Sequence, residues 1–213
     1  MSNPTIIQLE KIIIHGYCRL VTRKINAGQT GYDGLPVIWT GQIDFEFTPT
    51  QEKTVLPSGD DPRWGSVHGP VLGSVKGTFY GLPLNHLPQI LSVKYSAADG
   101  MVVGDDDAPD VLIGMTFDQS VKHESTGAAS INKTILYKVE LDLPTISGKT
   151  KGEGDNAVAN IEITGKAWPA YYTKTNGRTG HRTYCTVNSV LNPDKFAANN
   201  DTIAWPSDFT ADA

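Results

Sequence analysis

Five histidines, two cysteines and two runs of aspartate are the side chains in this 213-residue sequence best equipped for chemistry. The histidines are His15, His68, His86, His123 and His181. None stands beside a serine or cysteine in a nucleophile context, and no GxSxG elbow occurs. Cys18 or Cys185 could meet His15 or His181 in space, as a thiol nucleophile requires. Nothing in the sequence draws them together, so the histidines read as surface groups or hydrogen-bonded core groups. Neither cysteine has CxxC or His-rich spacing around it, which argues against a metal site. They are two buried thiols or, in an exported protein, one bridge.

Asp105-Asp106-Asp107 with Asp110 gathers the oxygens that calcium takes. The sixth-position glycine and closing glutamate of an EF-hand loop are missing, so the run reads as a solvated turn. Asp60-Asp61 before Pro62 reads the same way. No glycine cluster has the spacing of a dinucleotide or phosphate loop. Trp39, Trp64, Trp168 and Trp205 have faces that stack on sugars, but they lie in four separate segments, which favours core or interface packing. No catalytic residue, cofactor or metal is assigned, and the chain is expected not to be an enzyme.

Composition narrows the class further. The net charge of -5 and a pI near 5.5 oppose a protein that grips nucleic acid through phosphates. They leave room for one past which nucleic acid slides. The length suits one domain with a core of its own. Met1-Ser-Asn-Pro-Thr lacks a basic n-region and apolar h-region, and no apolar run reaches membrane-span length. The expectation is a soluble protein made in the cytoplasm, with no membrane partner.

The elements that would position these residues are strands. The 21 glycines and 13 prolines fall between short apolar runs, a pattern of strands and turns. Gln42–Thr48 alternates cleanly, with Ile43, Phe45 and Phe47 against Gln42, Asp44, Glu46 and Thr48. Residues 49–71 carry Pro49, Pro57, Gly59, Pro62, Gly65, Gly69 and Pro70, and read as a long loop before a return strand at 72–80. A loop of that length in a compact domain has a function. Ile12–Ile14 and Gly16–Val21 form a first strand, with Gly16 a bulge. Asn26–Pro36 reads as a loop, and Leu84, Leu87 and Leu91 mark one short helix cut by Pro88. Val111–Phe117 is a buried strand and 120–133 a hairpin loop. Ile135, Tyr137, Val139, Leu141 and Leu143 alternate with Lys138, Glu140 and Asp142. Ala159, Ile161 and Ile163 alternate with Glu162, Thr164 and Lys166. Asn176-Gly177 marks a hairpin. The fold class is mainly β, an antiparallel β-sandwich with one short flanking helix and long loops. Residues 1–190 form the domain, with an N-terminal arm and the 49–71 loop; residues 191–213 form a C-terminal arm anchored at Trp205 and Phe209.

This order of features resembles the major tail proteins, or tail tube proteins, of long-tailed bacteriophages with non-contractile tails. The carriers begin with the strand near Ile12–Val21, then Leu35-Pro36 leading into the strand ending Phe47-Thr48-Pro49, the long polar loop and the return strand. Gly81-Leu82-Pro83-Leu84 then enters the short helix. The acidic Asp105–Asp107 turn, Val111-Leu-Ile-Gly, the strand from Thr134 to Leu141 and the strand from Ile161 to Ala167 complete it, covering most of residues 6–187. The chain departs from the pattern at Tyr80-Gly81, where the usual acidic residue is missing, and in its longer C-terminal arm.

The resemblance implies a sandwich that closes into hexameric rings, which stack as a tube for DNA ejection. It implies residence in the virion tail after assembly in the host cytoplasm. The implied partners are further copies of the chain, a tape-measure protein, a tail terminator, a distal tail protein, and genomic DNA passing without specific binding. One sheet of each copy would line the lumen. The candidates on the wet strand faces are Asp44, Glu46, Lys76, Lys138, Glu140, Asp142, Glu162 and Lys166. Five carboxylates and three amines give -2 per copy, or -12 over six copies. A negative wall repels phosphate and leaves moving DNA no sticking point. Val55, Leu56, Arg63, Trp64 and His68 of the loop are the candidates for reaching a neighbouring copy. The competing expectation is a carbohydrate- or host-binding β-sandwich module of a virion.

Overall fold

The computed structural model describes residues 12–58, 61–81, 86–104, 108, 110–124, 127–144, 160–199 and 203–207, without the side chains of 12, 13, 15, 17, 18, 56–58 and 61–65. Within these residues the chain is mainly antiparallel β, as its alternation predicts. The strands are β1 (Ile12–Ile25), β2 (Tyr32–Trp39), β3 (Gln42–Ser58), β4 (Asp61–Phe79), β5 (Lys94–Ser96) and β6 (Met101–Val103). There follow β7 (Leu112–His123), β8 (Ala129–Leu141), β9 (Ile161–Trp168), β10 (Ala170–Thr173), β11 (Thr179–Arg182) and β12 (Tyr184–Asn188). Two short helices join them, α1 (Leu87–Ile90) and α2 (Pro193–Ala198).

One long sheet runs β2-β1-β7-β8-β9-β4-β3, with β12 also paired to β8. It doubles back on itself, so that strands distant in the order meet face to face. The Trp39 ring of β2 lies 4.7 Å from Phe79 of β4, and Phe45 of β3 lies 4.9 Å from Phe117 of β7. Phe47 of β3 likewise meets Tyr184 of β12 at 5.2 Å. The result is a sandwich of an outer layer, β2-β1-β7-β8-β12, on a second layer, β9-β4-β3, with β8 turning the corner. Leu20, Val75, Ile113, Met115, Leu136, Val139 and Ile163 fill the space between. Burying aliphatic side chains this completely supplies about 1.5–3 kcal/mol each.

The corner is made by an extra residue in β8. Met115 pairs with Leu136 and Ile113 with Val139, so two steps on β7 span three on β8. A bulge of this kind bends the strand and re-aims its side chains. Leu136 and Val139 both enter the main core, whereas Ile135 and Tyr137 face outward into a second core. The expectation that Ile135, Tyr137, Val139, Leu141 and Leu143 share one face is therefore corrected; Leu143 is exposed. The bulge is also where β8 changes partner, pairing β12 over Asn132–Leu136 and β9 over Lys138–Leu141.

The expected loop at 49–71 is corrected most. It is a two-stranded ribbon, paired from Pro49↔Gly73 to Ser58↔Asp61, with an extra β4 residue between Val71 and His68. Its prolines suit a ribbon whose strands each have one side unpaired among the described residues, since β9 accompanies β4 only from Gly73 onward and proline in sheets is confined to such edges. Residues read as loops at 26–36 and 120–133 also contribute strand, to β2, β7 and β8. Asn176-Gly177 does turn a hairpin, joining β10 to β11, and Gly177 has φ +78°. Gly16, at φ +48°, sits where β1 slips register, as expected of a bulge.

The single expected helix is joined by a second. α1 has Pro88 in its first turn and buries Ile90, with Leu91 buried just beyond it. α2 opens on Asn192, whose side chain accepts from the Lys195 N–H at 3.1 Å, with Pro193 in the first turn. The C-terminal segment is not a free arm. Ile203 is buried in the second core, and Trp205 packs edge-on against Tyr32 with its indole N–H on the Tyr171 carbonyl. Phe209 lies outside the described residues.

Candidate assembly surface

Where strand pairing is direct, opposite residues share a face, so register alone places the eight candidate channel residues. Thr48, Ser74, Lys166 and Glu140 form one row across β3, β4, β9 and β8. Glu46, Lys76 and Thr164 form the next, and the Asp142 N–H on the Thr164 carbonyl brings that residue alongside. Asp44, Thr78 and Glu162 form the third. Lys138 stands opposite Trp168 at the corner. All eight candidates thus lie on one continuous polar face, the outside of the second layer. The opposite faces of the same strands carry Phe45, Phe47, Val75, Phe79, Ile163, Ala167, Val139 and Leu141 into the core. Ile43 departs from the expected alternation: a register slip between Gln42 and Asp44 leaves it 40% exposed.

The face is tied internally. Lys76 Nζ lies 3.0 Å from Glu162 Oε2. Lys138 Nζ donates to Gln29 Oε1 at 2.7 Å, and Thr164 Oγ1 donates to Asp142 at 2.9 Å. The Trp168 indole N–H donates to Glu140 at 3.3 Å. Glu162, through its hydrogen bond and its charge, holds the Lys76 ammonium above its ordinary pKa, with Asp44 and Glu46 adding to the effect. At the corner end of the face, Trp168, Lys138 and Glu140 border an open cleft of about 610 Å³, shared with Lys24 and Asp33.

The other side of the face ends in β3, which is the last strand of the sheet. From it the 49–72 ribbon continues past the sheet. Val55 and Val67 are about half exposed there, and His68 is exposed. The Leu56, Arg63 and Trp64 side chains lie outside the described residues. A two-stranded ribbon alone in water is marginal.

A scan of protein-family models and a search of curated proteins found no match to the chain.

Groups with chemical potential elsewhere are dispersed. His123 Nε2 lies 3.4 Å from Ser130 Oγ, a pairing that sequence reasoning missed because it spans a hairpin. That hydroxyl also receives the Asn188 amide, and 3.4 Å is long for activating a nucleophile. His181 meets Tyr171 edge-to-face at 4.7 Å, and His86 precedes α1. Cys185 Sγ lies 2.9 Å from the Tyr137 hydroxyl, and burial raises the pKa of both groups. Cys185 is a free thiol, and the Cys18 side chain lies outside the described residues. Asp105–Asp107 lie outside them as well. Among the described residues no three His, Cys, Asp or Glu side chains converge to hold a metal. No helix among them is long and apolar enough to cross a membrane.

Proposed function

We propose that the chain is a structural virion subunit that assembles into stacked, six-membered rings forming a phage tail tube. The observation that carries this reading is the placement of all eight candidate residues on one uninterrupted face of four adjacent strands. A wall of that kind needs consecutive strands and a net negative charge. The outside of the second layer offers both, and its partly exposed aromatic, Trp168, stands at the corner end with its indole N–H on Glu140. The outside of the other layer is partly roofed by the C-terminal segment, so the second layer is the one turned to the bore.

Ring closure in this reading uses the edge of β3, which is unpaired among the described residues, and the ribbon reaches an adjacent copy. An open strand edge is an aggregation hazard in a monomer and an interface in an assembly. The ribbon corrects the form of the contacting element without changing its role: paired strands project farther and hold direction better than a loop. A tape-measure protein inside the growing tube, terminator and distal tail proteins at its ends, and DNA in transit are the partners that follow. The chain then works without catalysis or a cofactor, made in the host cytoplasm and resident in the virion.

Negative-stain microscopy with sizing of the purified protein tests the reading. Rings or tubes of uniform bore are expected. A particle that stays monomeric at every concentration and binds glycans overturns it in favour of a carbohydrate-binding module. The Trp168 cleft is where such binding would be sought, since an indole beside carboxylates suits a sugar.

A further inference from the structure

Lys76 occupies the middle of the polar face. Glu46 stands directly across from it on β3, Thr164 directly across on β9, and Asp44 and Glu162 lie on the two diagonals. Its ammonium touches Glu162 at 3.0 Å while both side chains stay about half exposed. The other two amines of the face sit nearer its corner end: Lys138 is bound to the Gln29 amide and Lys166 stands opposite Glu140. Lys76 is therefore the amine that a phosphate backbone running down the face would meet at the centre. A single exposed ion pair exchanges readily. What excludes a phosphate is the sum of three carboxylates around one amine.

We propose that Glu162, with Asp44 and Glu46, masks Lys76 and so makes this face non-adhesive to polyanions. The proposal rests on the tail tube reading for the identity of the polyanion, duplex DNA, and for the repetition of the face around a ring. The carboxylates' effect on the Lys76 proton agrees with it: they favour the charged amine, yet leave it no net positive field to offer. Replacing the three carboxylates by amides changes the face from -2 to +1 per copy, hence from -12 to +6 over six copies.

The test compares wild type, E162Q, E162D, the triple variant D44N E46Q E162Q, and the triple variant with K76M added. Binding of a fluorescent random-sequence DNA duplex is measured by anisotropy at low and moderate salt. Melting curves establish that each variant is folded, and negative stain establishes what each assembles into. Wild type is expected not to retain the duplex. The triple variant is expected to bind at least about ten-fold tighter at low salt and to release it as salt rises, the behaviour of phosphate contacts. E162Q falls between, E162D behaves as wild type, and K76M removes the gain. A folded triple variant that binds no better than wild type overturns the proposal, as does a gain that survives K76M. A wild type that stays monomeric at every concentration and binds glycans overturns the tube reading instead. The binding comparison then proceeds on monomers, where a smaller gain of the same sign, read as later elution from heparin resin, is expected and its absence overturns the masking.

Discussion

Lys133 and Asp118 form a buried ion pair on the outside of the first layer. Nζ lies 2.8 and 3.1 Å from the two carboxylate oxygens, and the lysine side chain has no exposure. The pair is built by register, since the two residues face each other across β7 and β8. It is roofed by the C-terminal segment, the Phe196 ring of α2 lying 4.7 Å from the ammonium. Removing one partner strands the other charge away from water. Lys133→Met should therefore cost about 3–5 kcal/mol in urea unfolding, and the double variant Lys133→Met with Asp118→Leu should recover most of it. Equal losses in the single and double variants would show that packing, not charge, governs this site.

The corner between β8 and β9 has no room for a side chain at Gly165. A Cβ there would fall against the carbonyl oxygen of Glu140, which is backbone and cannot swing away. Gly165→Ala should lose about 3 kcal/mol or fail to fold, the upper range for overpacking. Gly104→Ala is the control. Nothing lies within 4 Å of its added methyl and its φ is not positive, so a change within about 0.5 kcal/mol is expected. A tolerated Gly165→Ala, measured by thermal melting, would contradict the close approach of the two strands.

Tyr32, Tyr137 and Cys185 cluster beneath the C-terminal segment, and burial is the largest cause raising the pKa of each. In the unfolded chain they ionise at their ordinary values, about 8.5 for the thiol and about 10 for the phenols. In the folded chain they keep their protons longer. Above those values the unfolded state binds fewer protons, so stability is complete below about pH 8 and falls as pH rises. The slope approaches about 1.4 kcal/mol per pH unit for each group. Melting temperatures should fall steadily between pH 8.5 and 11, less steeply in Tyr137→Phe. A flat profile would contradict the burial of these groups.

The ribbon can be separated from the body. Replacing residues 52–68 by an Asn-Gly turn removes only strand that pairs with itself and leaves every β4–β9 pair intact. The shortened protein should melt within a few degrees of wild type, yet fail to elongate into tubes. Normal tubes from the shortened protein would show that the ribbon is dispensable for stacking.

How far the sequence could be read follows the range of the interaction concerned. Alternation with period two is a local property. Asp44, Glu46, Lys76, Lys138, Glu140, Asp142, Glu162 and Lys166 read as wet-face residues from their own segments, and the register sets them side by side. Asn192-Pro193-Asp194 carries a local helix start, a cap followed by proline and an acid, inside a tail whose polarity reads as an arm. Gly and Pro density, by contrast, misled at 49–71. Proline is excluded from a strand only where its N–H is needed, and whether a strand has a free edge is decided by its neighbours.

The mainly β class, the two-faced strands and the acidic balance of the polar face are legible along the chain, because each is written in residue type at spacing two. The fold-back of the sheet at β8 comes from the three-dimensional packing. A one-residue bulge there depends on how many residues β7 sets opposite, which no local pattern records. The same packing makes 49–71 a paired ribbon and closes Phe196, Ile203 and Trp205 over Lys133 and Tyr137. Those pairings join residues tens of positions apart, and their stability comes from surface buried at contact, which the order of residues along the chain does not specify.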